Sequence, residues 1–244
     1  MTAHLGMKGL AASCILSLSF LWILVIIAAD GGAWSTGSIG VDIGENMTLI
    51  TTSFQFYLSG YSVTSNGNSF HVMYSEALAT GHPQPSQTVD ITHMMHAGRF
   101  TTVFIAFAIV MLLQSVLLHS LIWPFKVTPQ FHKFAFPVAS LAMVFLVMAT
   151  LLWYLLGHVC AKHFIVDWPV DGSVVSKRTP YTSTGWCWNL LLACCIIGSV
   201  VDMTFIKRMN TVAAMGDVDF NDDGEQFNDG TDNKTSASYQ SADL

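Results

Sequence analysis

Residues 100–123 read FTTVFIAFAIVMLLQSVLLHSLIW, an unbroken run without a single Asp, Glu, Lys or Arg. Such a segment is apolar on every side of a helix, so no single packed face can bury it, and lipid is the solvent that suits it. A hydrocarbon core of about 30 Å needs roughly 20 helical residues, and this run supplies them. Three more stretches, 10–29, 134–159 and 186–206, are of the same kind and carry no Arg or Lys. The chain therefore predicts an all-α membrane protein, a four-helix transmembrane bundle occupying residues 1–210, with outer loops at 30–99 and 160–185.

Composition agrees, since 52% of the 244 residues are hydrophobic and only 11% charged, too few charges to keep a soluble domain of this size in solution. The net charge of −6 comes largely from the tail at 211–244, where seven acidic residues crowd between Asp217 and Asp232. No basic surface for nucleic acid is present. The tail reads as a disordered, acidic segment. Its piece Asp219–Gly224 imitates the first half of a calcium loop, but Gly230 stands where a bidentate Glu is needed, so a solvated acidic tail is the simpler account.

Sidedness follows from short, basic flanks. Lys8 before helix 1, Lys126 and Lys133 between helices 2 and 3, and Lys207 with Arg208 after helix 4 predict cytoplasmic N- and C-termini. The first apolar stretch also admits a signal-peptide reading, yet it exceeds the usual apolar region of about 7 to 15 residues, which favours an uncleaved helix. Asn46, in the sequon Asn46-Met47-Thr48, falls on the outer side where glycosylation occurs; Asn233 falls on the inner side. The expected location is the plasma membrane or a secretory-pathway membrane.

The first outer loop is patterned. Phe54, Phe56 and Leu58, then Tyr61 and Val63, then Phe70, Val72 and Tyr74 alternate with polar residues in the period of strands. Asn66-Gly67 between the last two runs suits a tight hairpin turn, which predicts a small extracellular antiparallel β-sheet. Residues 89–99 have helical character and lead into helix 2. In the second loop, Trp168 and Tyr181 are expected either at the membrane interface or over the sheet.

Few polar groups invite chemistry. Cys160 and Cys187, at facing helix ends on the outer side, are either a disulfide closing the second loop, the preferred reading, or two free interfacial thiols. His93, His96, His158 and His163 gather near the outer boundary, where they are either an outer metal cluster or interfacial histidines. A haem layer is disfavoured, because His96 and His119 lie about 34 Å apart along one helix, which places both at membrane boundaries. No resident cofactor is expected. Within the spans, Gln114, Asn189 and Asp202 are the intramembrane polar residues, and each could bridge helices; Asp202 is a structural pairing group or an ion or proton site. No triad, phosphate loop or carboxylate pair is present, so no enzymatic activity is expected.

The layout of four helices with a long strand-forming first loop and a short second loop resembles the claudin-like tetraspan group, including the amastin surface proteins of kinetoplastids. Trp34 after helix 1, Arg99 leading into helix 2, and the run Gly185–Asp202 with its late acidic residue are similar to amastin-like sequences. The family pattern places two cysteines in the first loop, and this sequence has none between Asp30 and Arg99. The resemblance implies a surface protein of adhesion, membrane organisation or partner scaffolding, associating in the bilayer as a homo-oligomer or with another membrane protein. The alternative is a redox or ion- and proton-handling subunit that uses the interfacial histidines and Asp202.

Overall fold

The computed structural model describes residues 2–43, 48–65, 67–80, 85–122, 130–170, 173–178, 181–208 and 211. Helix α1 (Thr2–Ala29) is followed by strands β1 (Ser35–Ile43), β2 (Thr48–Phe56), β3 (Gly60–Ser65) and β4 (Asn68–Met73), then by the short helix α2 (Tyr74–Ala79). Helix α3 (Pro85–Ile122) crosses to the far end. Helix α4 (Gln130–Leu152) returns and continues through a π-helical turn (Trp153–His158) into α5 (Val159–His163). Strands β5 (Ile165–Val170), β6 (Ser173–Arg178) and β7 (Tyr181–Thr184) precede α6 (Trp186–Val201), which ends in a second π-helical turn (Asp202–Ile206).

Four segments are long and apolar enough to cross a membrane: Gly9–Ala29, Asp90–Leu121, Phe134–His163 and Trp186–Ile206. Their principal contacts run in a ring, α1 to α3 to α4 to α6 and back to α1. Small residues line the seam, among them Ala108, Ala139, Ala142, Ala149 and Cys194, with Leu18, Leu21, Leu112 and Leu146 filling the space between. Small side chains let helix backbones approach where lipid supplies no hydrophobic drive to association. The outward faces carry exposed Phe, Leu, Ile and Val, as a lipid-facing surface requires.

The sheet is larger than the first loop alone predicts. Its five antiparallel strands run β4-β3-β2-β1-β7, so the second loop contributes an edge strand, while β5 and β6 form a separate hairpin holding Trp168 opposite Val175. The expected turn is present: Ser65 pairs with Asn68, and Gly67 has φ +81°, a left-handed conformation that glycine adopts without a Cβ clash. Phe54, Phe56, Tyr61, Tyr74 and Phe164 pack ring against ring beneath the sheet, with centroids between 5.4 and 6.5 Å apart. Aromatic pairs of this geometry add about 0.5–1.5 kcal/mol each beyond their buried area. Phe164 comes from the residue after α5, so this cluster fastens the sheet to the bundle.

Backbone contacts complete the mounting. The loop between β2 and β3 lies so close to α3 that a Cβ on Gly98 would overlap the carbonyl of Leu58, and a Cβ on Gly185 would overlap that of Ala33. Gly185 N–H donates to Trp34 O at 2.8 Å, and Trp34 N–H to Phe56 O at 2.8 Å. Sheet and bundle therefore meet through fixed hydrogen bonds and bare backbone.

Candidate functional site

At the sheet-bearing end, β1 and the π-helical turn share a buried polar network. Trp153 Nε1 donates to Ser35 Oγ at 3.1 Å, and Ser35 Oγ lies 3.0 Å from His158 Nδ1. An indole can only donate, so the serine accepts from it, and its second lone pair and its own proton let it either accept from or donate to the imidazole according to the ring's tautomer. Ser35 is 0% and His158 3% exposed, and the edge of Trp34 packs on Trp153 at 5.7 Å. A serine beside a histidine is half of a hydrolytic dyad, yet this hydroxyl is sealed by two indoles and what it does here is join strand to helix. Tyr154 stacks on His158 at 5.4 Å and also meets Trp188, whose Nε1 donates to Thr150 O at 3.0 Å.

The far end holds a different arrangement. Asp202 opens the second π-helical turn and is 7% exposed; its Oδ2 accepts from Ser140 Oγ of α4 at 2.6 Å, while Oδ1 has no hydrogen-bond partner among the described residues. The expectation that Asp202 bridges helices holds for one oxygen. Turns of π-helix inside α-helices recur at functional sites, because the extra residue re-aims side chains and frees a backbone group. Both π turns here begin on a buried residue that makes a polar contact.

The other expected residues are placed as follows. Gln114 is exposed on the outward face of α3 beside Val110, Leu113 and Leu117, and its amide bonds to no described residue. Asn189 is local: Thr184 Oγ1 donates to its Oδ1 at 3.1 Å, which ties the start of α6 to β7. Trp34 is fully buried under the sheet, whereas Arg99 is exposed on α3. His93, His96 and His163 are exposed and His158 is buried on Ser35, so the four imidazoles do not converge. Among the described residues no three His, Cys, Asp or Glu side chains are placed to hold a metal ion.

The preferred disulfide is absent. Cys160 and Cys187 are free thiols, and their surroundings explain it: Cys187 packs on Gly32 at the end of α1, whereas Cys160 lies within electrostatic reach of Asp90 and Tyr74 on the α3 side. They share a level along the bundle but face different neighbours. Asn46 and the tail from residue 212, with its calcium-loop-like piece and Asn233, lie outside the described residues.

Strand β4 forms one edge of the sheet. Phe54, Val63 and Phe70 stand opposite one another across β2, β3 and β4, and burial falls along that row from complete at Phe54, through partial at Val63, to 65% exposure at Phe70. Nearly every residue of β4 is exposed, and among the described strands it is paired only with β3. Tyr57 OH donates to Gln55 Oε1 at 2.7 Å and its ring meets His71 edge to face at 5.3 Å, which holds the polar side of that margin. No protein-family model matches the chain, and no curated protein matches it.

Proposed function

We propose that this chain is a non-enzymatic tetraspan surface protein that works by contact, with strand β4 as its contact edge. The observation that carries the reading is the apolar row Phe54–Val63–Phe70, which runs out from under the helices and ends in an exposed phenylalanine on the edge strand β4. An open strand edge offers a ladder of backbone donors and acceptors to another strand, and an adjacent apolar side chain adds affinity. Gln114 supports association within the bilayer too. A carboxamide among lipid-facing leucines gains from a partner helix that hydrogen-bonds to it, and a second carboxamide serves as both donor and acceptor. The four spans, the long strand-forming first outer segment and the short second one favour membership of the claudin-like tetraspan group, with the sheet outside the cell and both termini in the cytoplasm.

Chemical cross-linking of full-length protein in native membranes tests this. Phe70→Lys is expected to reduce cross-linked oligomer or partner complex at least about tenfold while leaving the melting temperature unchanged, because exposed substitutions rarely shift stability by more than about 0.5 kcal/mol. Equal cross-linking of the variant and the parent protein would overturn the role of β4.

The second reading, an ion- or proton-handling subunit, draws on the unpartnered Oδ1 of Asp202. Ionisable groups inside a membrane span are costly and are characteristic of ion and proton paths. Conductance of reconstituted protein, compared with Asp202→Asn, distinguishes it: a nonzero conductance lost in the variant supports this reading, and none in either removes it.

A further inference from the structure

Helix α3 carries two seams on opposite sides. One faces the bundle, where Ile105, Ala108, Leu112, Ser115 and His119 are buried. On the other, Val103, Phe107, Val110, Gln114, Leu117 and Leu121 follow one another at alternating steps of four and three residues, and the five apolar ones are 48–58% exposed. Such a repeat keeps one stripe of a helix against a partner helix over several turns, each side chain entering the space between those of its neighbour. Phe107 also stacks on Phe145 of α4 at 5.4 Å, which holds that ring in place at the margin of the stripe.

Gln114 breaks the apolar character of the second seam, and its depth makes it informative. It lies seven residues, about 10 Å, before Leu121 at the far end of the span. A helical side chain leans toward the N-terminus of its helix, which for α3 is the sheet-bearing end, so the Gln114 amide leans into the apolar layer and away from the nearer boundary. Hydroxyls on the spans satisfy themselves on their own helix, Ser120 on Val116 O and Thr204 on Val200 O. A carboxamide has two N–H donors and an acceptor oxygen to satisfy, and Gln114 bonds to none of the described residues. Two copies inserted the same way share a direction, and a two-fold axis along the membrane normal sets each level of a helix opposite itself. A second copy therefore brings the matching carboxamide to the depth where the first one needs it.

We propose that α3 is a homodimerisation helix: two copies pair in parallel along residues 103–121, with reciprocal hydrogen bonds between their Gln114 carboxamides at the two-fold axis. This rests on the reading of the chain as a membrane protein that works by contact, and it names the partner of the bilayer face. One polar position in an otherwise apolar seam also fixes the register, because any slip along the helix buries both amides unmatched in hydrocarbon.

The test uses full-length Phe70→Lys protein, in which the β4 edge is disabled and α3 is untouched, so that any remaining association reports the bilayer face. Copies labelled at the C-terminus with donor or acceptor dye are mixed in phosphatidylcholine liposomes and diluted with lipid, and energy transfer gives the dimer fraction. Transfer is expected to persist in this background. Adding Gln114→Leu should weaken the dimer at least about fivefold, through the loss of the paired carboxamides, with unchanged circular dichroism. Gln114→Asn, which keeps the carboxamide, should associate more tightly than the leucine variant. A benzoylphenylalanine at Leu117 should photo-cross-link two copies through α3, and one at Leu16 on the outward face of α1 should not. No transfer in the Phe70→Lys background would overturn the seam while sparing the contact-edge reading; equal association of the glutamine and leucine forms, or cross-links from position 117 to other helices, would overturn it as well.

Discussion

The two π-helical turns sit at opposite ends of the bundle and handle their polar groups in opposite ways. At the sheet end the Trp153–Ser35–His158 chain is joined end to end within a sealed aromatic setting. At the far end Asp202 is as well hidden, but among the described residues it engages through one oxygen. A buried polar network whose members are matched rigidifies and specifies a packing, whereas a half-matched group costs free energy that the fold must supply elsewhere. At the first turn the hydrogen bonds of Trp153 and His158 tie helix to strand, although Trp34 Nε1 beside them finds no partner among the described residues; at the second, one carboxylate oxygen is left over.

Stability measurements on reconstituted protein can break that division. Trp153→Ala should have the largest effect, about 3–5 kcal/mol, since it removes a fully buried indole and its contact with Trp34 as well as the hydrogen bond. Ser35→Ala should cost about 1–3 kcal/mol, because it strands an indole N–H and an imidazole nitrogen in a dry interior. Denaturant titration followed by tryptophan fluorescence reads both. Were Ser35→Ala neutral, the network would not be what holds the sheet.

Tyr74→Phe sharpens the same end with a smaller effect, about 1 kcal/mol, by removing the bond to Tyr57 O. Burial above all, with the nearby Tyr61 and Cys160 adding to it, pushes the Tyr74 phenol well above its ordinary value, and burial raises Tyr61 as well. The folded state thus keeps protons that the unfolded chain releases. This stability is fully present below about pH 10, the unfolded tyrosine value, and is lost as pH rises beyond it. Alkaline titration should therefore loosen the parent sheet above about pH 10, and Tyr74→Phe, measured by near-ultraviolet circular dichroism, should loosen at higher pH. Asp202→Asn comes last: it keeps the shape and relieves a half-paired carboxyl, so stability should change by less than about 1 kcal/mol. A loss comparable to that of Ser35→Ala would erase the difference between the two turns.

Much of the scaffold was legible because its signals are local. Apolar length gave the four spans, and the alternation from Phe54 to Val72 around Asn66-Gly67 gave β3 and β4 with their turn. Strand β1 was missed because Gly37 and Gly40 interrupt any alternation, and β7, only four residues long, acquires its identity from pairing with a strand far away in sequence. The Ser35–His158 link was invisible for the same reason: nothing near either residue announces the other. Cys160 and Cys187 were correctly placed at the same end, but the direction in which a side chain leaves its helix depends on packing around the whole ring. Gln114, read as a bridge between helices, faces outward instead, a matter of rotation about α3 that length and composition leave open.

The join between β1 and β7 has a mechanical consequence. Each strand adjoins a helix long and apolar enough to cross a membrane, β1 from α1 and β7 into α6, and they are paired from Ser35–Thr184 to Ser38–Tyr181, with Thr36 and Ser183 hydroxyls 2.8 Å apart. Because the ladder's hydrogen bonds lie across the strand axes, sliding α1 lengthwise against α6 loads every rung at once, in shear. The pair thus acts as a stiff coupling rod between two spans. A tug on the sheet is transmitted to both helices together, and a lengthwise slip between those helices is felt as distortion at the β7 edge of the sheet.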